Sequence, residues 1–208
     1  MAPRGGAKYE PHDAFYKKAQ EAGYRSRAVF KLEDLLRHAP TLPRGSAVLE
    51  LGCWPGGWLQ VLAKKVGPGG LVVGVDTKPT EALDPHVRLL QLDFTEFGAI
   101  ETIAEALGGR VQALFSDAAP TMTGIKDVDR AASEEIHAST LAIADAVLEA
   151  GGFLIAKGFP GPPADVFRKQ LRAGFAEVAE RRPEGKRSTS KEFYWVARGF
   201  GEKRAARG

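Results

Sequence analysis

The sequence predicts an α/β domain: a mostly parallel seven-stranded sheet, helices on both faces and a C-terminal antiparallel hairpin. Three observations carry that prediction. Strand-length apolar runs alternate with helix-length amphipathic segments, and such alternation calls for parallel pairing through helical crossovers. The first strand runs into a glycine turn, Gly52-Cys-Trp-Pro-Gly-Gly57, which opens a helix. The next three strands end in acids, Asp76, Asp93 and Asp117. Ligands gather at the carboxyl ends of strands in an open α/β sheet, so these four points are expected on one rim.

The elements follow in chain order. Residues 12–22 read as a short helix with Asp13 near its start. Ser26 is placed to cap a second helix, whose buried side carries Val29, Phe30, Leu32, Leu35 and Leu36 and which Pro40 and Pro43 end. Strand 47–51 leads through the glycine turn to a helix over 57–66, stopped by Gly67-Pro-Gly-Gly70. Strand 71–76 and strand 87–92 follow, then a helix over 96–107 and strand 111–115. A loop is expected over 118–129, a long helix over 130–149 and a fifth strand over 152–157. Residues 164–173 read as helix, and apolar runs at 175–179 and 193–198 form the closing hairpin. This makes one domain over 11–200, with small, polar, basic ends at 1–10 and 201–208.

Composition narrows the class. A chain of 208 residues suffices for one α/β domain with a sizeable core. No apolar run reaches membrane-spanning length and residues 1–15 contain no signal-type apolar stretch, so a cytoplasmic protein is expected. Cys53 is the only cysteine, which rules out an internal disulfide and argues against a thiolate zinc site. The net charge of +3 is compatible with a polyanionic partner without demanding one.

The glycine turn discriminates among cofactors. In a dinucleotide fold the second glycine of the fingerprint lets the backbone touch a pyrophosphate. Aligned on Gly52, that position is Trp54, whose ring blocks the approach. The loop suits an adenosine without a pyrophosphate, which favours S-adenosylmethionine over NAD. Asp76 suits a ribose diol, because a carboxylate accepts from both hydroxyls, and Asp93 suits an adenine amino group. Neither role requires metal. One Asp at a strand end is commonly an Asx turn; the whole series behind a glycine turn points to a site. Trp58, in the first helical turn, is either a packing aromatic or a pocket wall. Cys53 reads as a small buried filler.

Two further strand ends carry chemistry. Asp117 opens the loop after the fourth strand, where a negative charge can orient a sulfonium or hold an ammonium. Lys157 closes the fifth strand, Leu154-Ile-Ala-Lys-Gly158. Loss of water around such a lysine is how it becomes a usable base; the alternative is a lysine that snorkels to solvent. Lys31 and Glu192 sit at the edges of apolar segments and, taken alone, read as surface charges.

Five segments together carry a resemblance: Ser26-Arg-Ala-Val-Phe-Lys-Leu32, Leu51-Gly-Cys-Trp-Pro-Gly-Gly-Trp58, Ser116-Asp-Ala-Ala-Pro-Thr-Met-Thr-Gly124, Phe153-Leu-Ile-Ala-Lys-Gly158 and Ser190-Lys-Glu-Phe-Tyr194. From about Tyr16 to Gly199 the chain resembles the FtsJ-type RNA ribose 2′-O-methyltransferases. The resemblance implies a Rossmann-like, S-adenosylmethionine-dependent methyltransferase fold. It implies a catalytic tetrad of Lys31, Asp117, Lys157 and Glu192, with Lys157 as proton acceptor. It implies cofactor contacts from the Gly52 loop, Gly56, Trp58, Asp76, Asp93 and Asp117. Cys53-Trp54 departs from the small residues usual in the family loop.

The basic residues Lys8, Lys17, Lys18, Arg25 and Arg27, with Lys186, Arg187 and Lys191, are expected to form a collar for RNA phosphates. Within the family the compact layout resembles members that methylate a uridine of large-subunit (23S-type) ribosomal RNA in the peptidyl-transferase region. The partner expected is therefore ribosomal RNA or the large subunit, with the protein acting as a monomer away from membranes. The rival readings are a tRNA 2′-O-methyltransferase, a small-molecule methyltransferase and a non-catalytic ribosome-assembly factor.

Overall fold

Strand pairing sets the architecture. The computed structural model describes residues 14–183 and 191–202. Its seven strands are β1 (Ala47–Leu51), β2 (Leu71–Asp76), β3 (Val87–Gln91), β4 (Val111–Ser116), β5 (Leu148–Gly158), β6 (Phe175–Arg181) and β7 (Phe193–Phe200). They form one sheet in the order β3-β2-β1-β4-β5-β7-β6. The first five run parallel to one another. β7 is antiparallel to both β5 and β6, so the last strand of the hairpin enters the sheet between two earlier strands.

The helices are α1 (Ala14–Glu21), α2 (Val29–Leu36), α3 (Gly57–Val66), α4 (Ala99–Leu107), α5 (Lys126–Val147) and α6 (Pro162–Gly174). Side chains alternate across each strand, and this sorts the core into two layers. Val48, Val72, Phe115, Ile155 and Tyr194 pack with α2 and α3 on one face. Leu49, Leu51, Val75, Leu114 and Leu154 pack with α4, α5 and α6 on the other. With both faces covered, the central strands are mostly apolar, as is usual for parallel strands, with Glu50 inside β1 and Gln112 inside β4 as exceptions.

The observed bounds of β1, α3 and β2 coincide with the expected ones; most other elements shift by one to three residues, and the starts of α5 and β5 shift by four. α5 begins at Lys126 rather than 130, because Asp129 accepts hydrogen bonds from the Thr123 and Gly124 N–H groups and folds the preceding loop onto the first helical turn. β5 begins at Leu148, where a helix tail was expected; Leu148 pairs with Val111 across a register shift before Phe153 pairs with Ala113. Ser26 does not cap α2 directly: its Oγ accepts the Ala28 N–H at 3.1 Å, in a turn that leads into the helix. Among the described residues no helix is long and apolar enough to cross a membrane.

Phe115 stands at the centre of the α2–α3 layer, fully buried, with edge-on contacts to Trp58 and Phe153. Phe115→Ala is expected to cost about 3–5 kcal/mol in urea unfolding, the range for a truncated core aromatic. A loss under about 1 kcal/mol contradicts this packing.

Candidate active site

The strand ends are stitched together at the rim. The Gly52 and Cys53 N–H groups both donate to the Val75 carbonyl, Asp117 N–H donates to Leu51 O, and Leu92 N–H donates to Asp76 O. Gly52 has φ +77°, and a Cβ there would lie 2.7 Å from the backbone N of Ala118. Only glycine lets the loops after β1 and β4 approach so closely.

These loops wall a cavity of about 580 Å³, lined by Gly52, Trp54, Asp76, Asp93, Phe94 and Asp117 among others. The expected series of acids therefore does share one site. Asp76 is held from both sides: Oδ2 accepts the Trp54 N–H and Oδ1 the Lys78 N–H, each at 2.9 Å. Asp93 Oδ1 accepts from the Thr95 N–H and Oγ1, an Asx turn that also fixes the carboxylate toward the cavity. Trp54 is half exposed at the mouth, with the Lys78 ammonium 4.3 Å from its ring centre. Four acids, Asp76, Asp93, Asp117 and Glu135, against the one lysine Lys78 suit a cationic nucleoside better than a polyphosphate.

The four residues expected to form a tetrad make two nearly buried ion pairs. Lys157 Nζ lies 2.8 Å from both the carbonyl and the carboxylate Oδ1 of Asp117. Lys31 pairs with Glu192 Oε1. Tyr194 stands between the pairs and donates its hydroxyl to Asp117 Oδ1 at 2.5 Å. It is cross-strand from Lys157, a position that becomes visible only once the β5–β7 register is known. Burial first, then the charges of Asp117 and Glu192, push its phenol well above the ordinary value, so it stays a hydrogen-bond donor.

Glu50 is a second group that the sequence reading passed over. It is a lone acid in an apolar strand, 2% exposed, with Oε2 unpartnered among the described residues. Burial, then repulsion from Asp117 and Asp76, raises its pKa well above the ordinary 4.5. Its neighbour Cys53 is pushed up to about 12, again mainly by burial. That thiol is the inert filler the sequence suggested.

Some expected contacts fall elsewhere. Trp58 is a core residue and forms no pocket wall: it is 2% exposed, donates Nε1–H to Ala28 O and packs on Tyr194 and Phe115. Gly56 is absent from the cavity lining; a Cβ on it would meet Arg25 Nη1 at 2.9 Å, so it makes room for that side chain. Arg25, expected to meet RNA, donates to the carbonyls of Glu81 and Ala82 and so pins the β2–β3 connection. Lys18 lies over the Phe30 ring, Lys17 and Lys191 are exposed, and Arg27 is half-buried. Lys8, Asp13, Lys186 and Arg187 lie outside the described residues.

A second cavity, of about 480 Å³, opens on the other side of Ala118, Pro120 and Ile136 and reaches Lys157. Its lining includes His137, which is stacked on Phe167 with ring centres 4.2 Å apart. Burial lowers the His137 pKa, while hydrogen bonding to the Lys157 and Pro163 backbones opposes the shift. The ring thus braces the end of β5 against α5 and α6.

The strand order, the single antiparallel insertion and the acid-lined cleft define a Rossmann-like methyltransferase. The chain belongs to the FtsJ-like methyltransferase family, which matches residues 24–200. It is 41% identical to the ribosomal RNA large subunit methyltransferase E of Anaeromyxobacter sp. over 92% of this chain and 70% of the relative. It is 39% identical to the protein of that name from Methanothermobacter thermautotrophicus over 90% of each. Among solved structures, a Plasmodium falciparum protein described as a ribosomal RNA methyltransferase aligns with TM-score 0.73 and 26% identity, covering 85% of this chain and 98% of its own. A fibrillarin/Nop5p complex aligns at TM-score 0.57 and 17% identity over 82% of this chain and 81% of its own, a likeness of fold alone.

The raised pKa of Glu50 has a stability consequence with a definite sign. A carboxyl whose folded pKa exceeds its unfolded one leaves stability intact below about 4.5 and removes it as pH rises toward the folded value. Glu50→Gln abolishes that penalty, so its gain in Tm over the parent should widen as pH is raised through the range above 4.5. A constant difference across that range would contradict the assignment.

Proposed function

We propose that this protein transfers a methyl group from S-adenosylmethionine to a ribose 2′-hydroxyl in large-subunit ribosomal RNA, in the region of the peptidyl-transferase centre. The observation that carries the reading is the Lys157–Asp117 ion pair at the seam between two cavities. The acid-lined cavity suits the donor: Asp76 would hold the ribose diol, Asp93 the adenine amino group, and Asp117 would face the cationic end. When bound, S-adenosylmethionine supplies an electrophilic methyl carbon, whose bond to sulfur breaks as the bond to O2′ forms.

The chain's own residues then manage the proton and the orientation. A neutral amine has two N–H donors and one lone pair. Both Lys157 contacts go to Asp117, one to its carbonyl and one to its carboxylate. Ion-paired with Asp117, Lys157 is an ammonium and must first release one proton to solvent; the amine then keeps its two N–H bonds to Asp117 and has a lone pair to accept the proton of the attacking hydroxyl. Tyr194 and the Asp117 N–H bond to Leu51 keep the carboxylate from following the lysine out of line. Lys31 and Glu192, both nearly buried, form a second pair whose carboxylate acts on Tyr194, the phenol bonded to Asp117. Fixing reactants in line contributes about 7–11 kcal/mol in favourable cases.

Lys17, Lys18, Arg27 and Lys191, with Lys186 and Arg187, are the residues proposed to meet RNA phosphates; Arg25 is excluded by its bonds to the β2–β3 connection. The relatives' names support ribosomal RNA over tRNA, and work on ribosomal RNA fits a cytoplasmic monomer.

Labelled-methyl transfer to large subunits, free ribosomal RNA and tRNA, followed by mapping of the label, tests the proposal. Label is expected on a ribose 2′-oxygen of large-subunit RNA; label on a base overturns the mechanism. Lys157→Ala should lower turnover by about 10²–10⁴-fold, the worth of a positioned general base, with S-adenosylmethionine affinity retained. Near-parental turnover would remove Lys157 from the role.

A further inference from the structure

We propose that Trp54 reads the positive charge of the bound donor: its ring holds the sulfonium of S-adenosylmethionine face-on and weights the site toward charged donor over neutral product. This rests on the reading of the acid-lined cavity as the donor site. Trp54 lines that cavity at its mouth and is half exposed. Its bulk stands in a turn, Gly52-Cys-Trp-Pro-Gly-Gly57, whose other members are glycine, cysteine and proline.

The ring already holds a cation. The Lys78 ammonium lies 4.3 Å from its centre, within the distance at which the negative face of an indole attracts a positive charge. One carboxylate fixes the backbone of both partners: Asp76 Oδ2 accepts the Trp54 N–H and Oδ1 the Lys78 N–H, each at 2.9 Å. Asp76 is also the group proposed to hold the donor's ribose. The sulfur of S-adenosylmethionine is joined to that ribose through a single methylene carbon. A ribose on Asp76 therefore brings the sulfonium within reach of the ring.

The chemistry of a sulfonium favours a π-face. Its sulfur carries three carbons and no hydrogen, so it has no hydrogen bond to offer the four acids of the cleft. An aromatic face attracts such a cation without one, as it does a quaternary ammonium. The Lys78 side chain is exposed and flexible, so it can turn out to solvent when the sulfonium takes its place. The two cations compete for one ring. Once the methyl has moved to O2′, the sulfur retains the bonding pair and is a neutral thioether. The ring then has no ligand charge to attract and Lys78 can return, which eases product release.

Calorimetric titration of the full chain tests this without turnover. Trp54→Ala should weaken S-adenosylmethionine by about three- to tenfold relative to S-adenosylhomocysteine, the worth of a partly desolvated cation–π contact. Trp54→Leu keeps apolar bulk without a π-face and should shift the ratio as far; Trp54→Phe should shift it less. Sinefungin, with a protonated amine in place of the methylated sulfur, should follow S-adenosylmethionine through the series. Lys78→Gln should raise S-adenosylmethionine affinity more in the parent than in Trp54→Ala, because the two cations compete only where the ring is present. Lys78 is exposed, so this variant and Trp54→Phe hold the test open if Trp54→Ala unfolds. Equal losses for donor and product in Trp54→Ala and Trp54→Leu, or a Lys78→Gln effect indifferent to Trp54, overturn the charge-reading role while the donor site stands. If the unaltered protein binds neither S-adenosylmethionine nor S-adenosylhomocysteine, the underlying donor reading fails and the role of Trp54 falls with it.

Discussion

Asp117 is the point on which the site depends. Its N–H is bonded to the last residue of β1, its carbonyl and carboxylate hold Lys157 from β5, and its Oδ1 also accepts from Tyr194 on β7. One residue at the end of β4 therefore ties together four strands of the sheet. Each tie is short, nearly buried and charge-assisted or charge-adjacent, the class of hydrogen bond with the most directional force. The acid-lined cavity and the Lys157 ammonium take their relative positions from that residue.

The cost of gathering so many acids shows at Glu50. Asp76 and Asp117 already supply negative charge at the rim, and a third carboxylate beneath them cannot easily ionise. A buried acid kept neutral beneath a ligand cleft limits the negative field there while leaving a polar atom in place. Burial above all, with the nearby acids second, keeps Cys53 protonated, so the thiol beside the acid-lined cleft is withheld from reaction.

Much of this was legible in the sequence because it is local. The glycine turn, the flanking strands and the acid at each strand end are set by a few adjacent residues, and β1, α3 and β2 have the bounds that pattern implies. The family motif brought Lys31 and Glu192 into consideration, which neither periodicity nor charge would have done. The misses are tertiary. Trp58 is equally consistent with a wall or a core, and only the packing of α2 across it decides. Tyr194 belongs to the site through strand register. Leu148 looks like the tail of a helix until it is paired with Val111. Glu50 is different: an acid inside Val48-Leu-Glu-Leu51 was open to notice, because a strand covered on both faces gives a carboxylate nowhere to meet water.

The insertion of β7 between β5 and β6 bears on when the protein becomes active. Glu192 and Tyr194 arrive on the last described strand, yet they complete a site whose other parts lie at 31, 117 and 157. The sheet cannot zip up in the order of synthesis: β6 is made before the strand that joins it to the rest, and β5 keeps an unpaired edge until then. Long-range pairing of this kind is slow relative to local helix formation. The acid-lined cavity is built from residues no later than Ile136, whereas the Lys31–Glu192 pair and the Tyr194–Asp117 bond wait for the chain at β7.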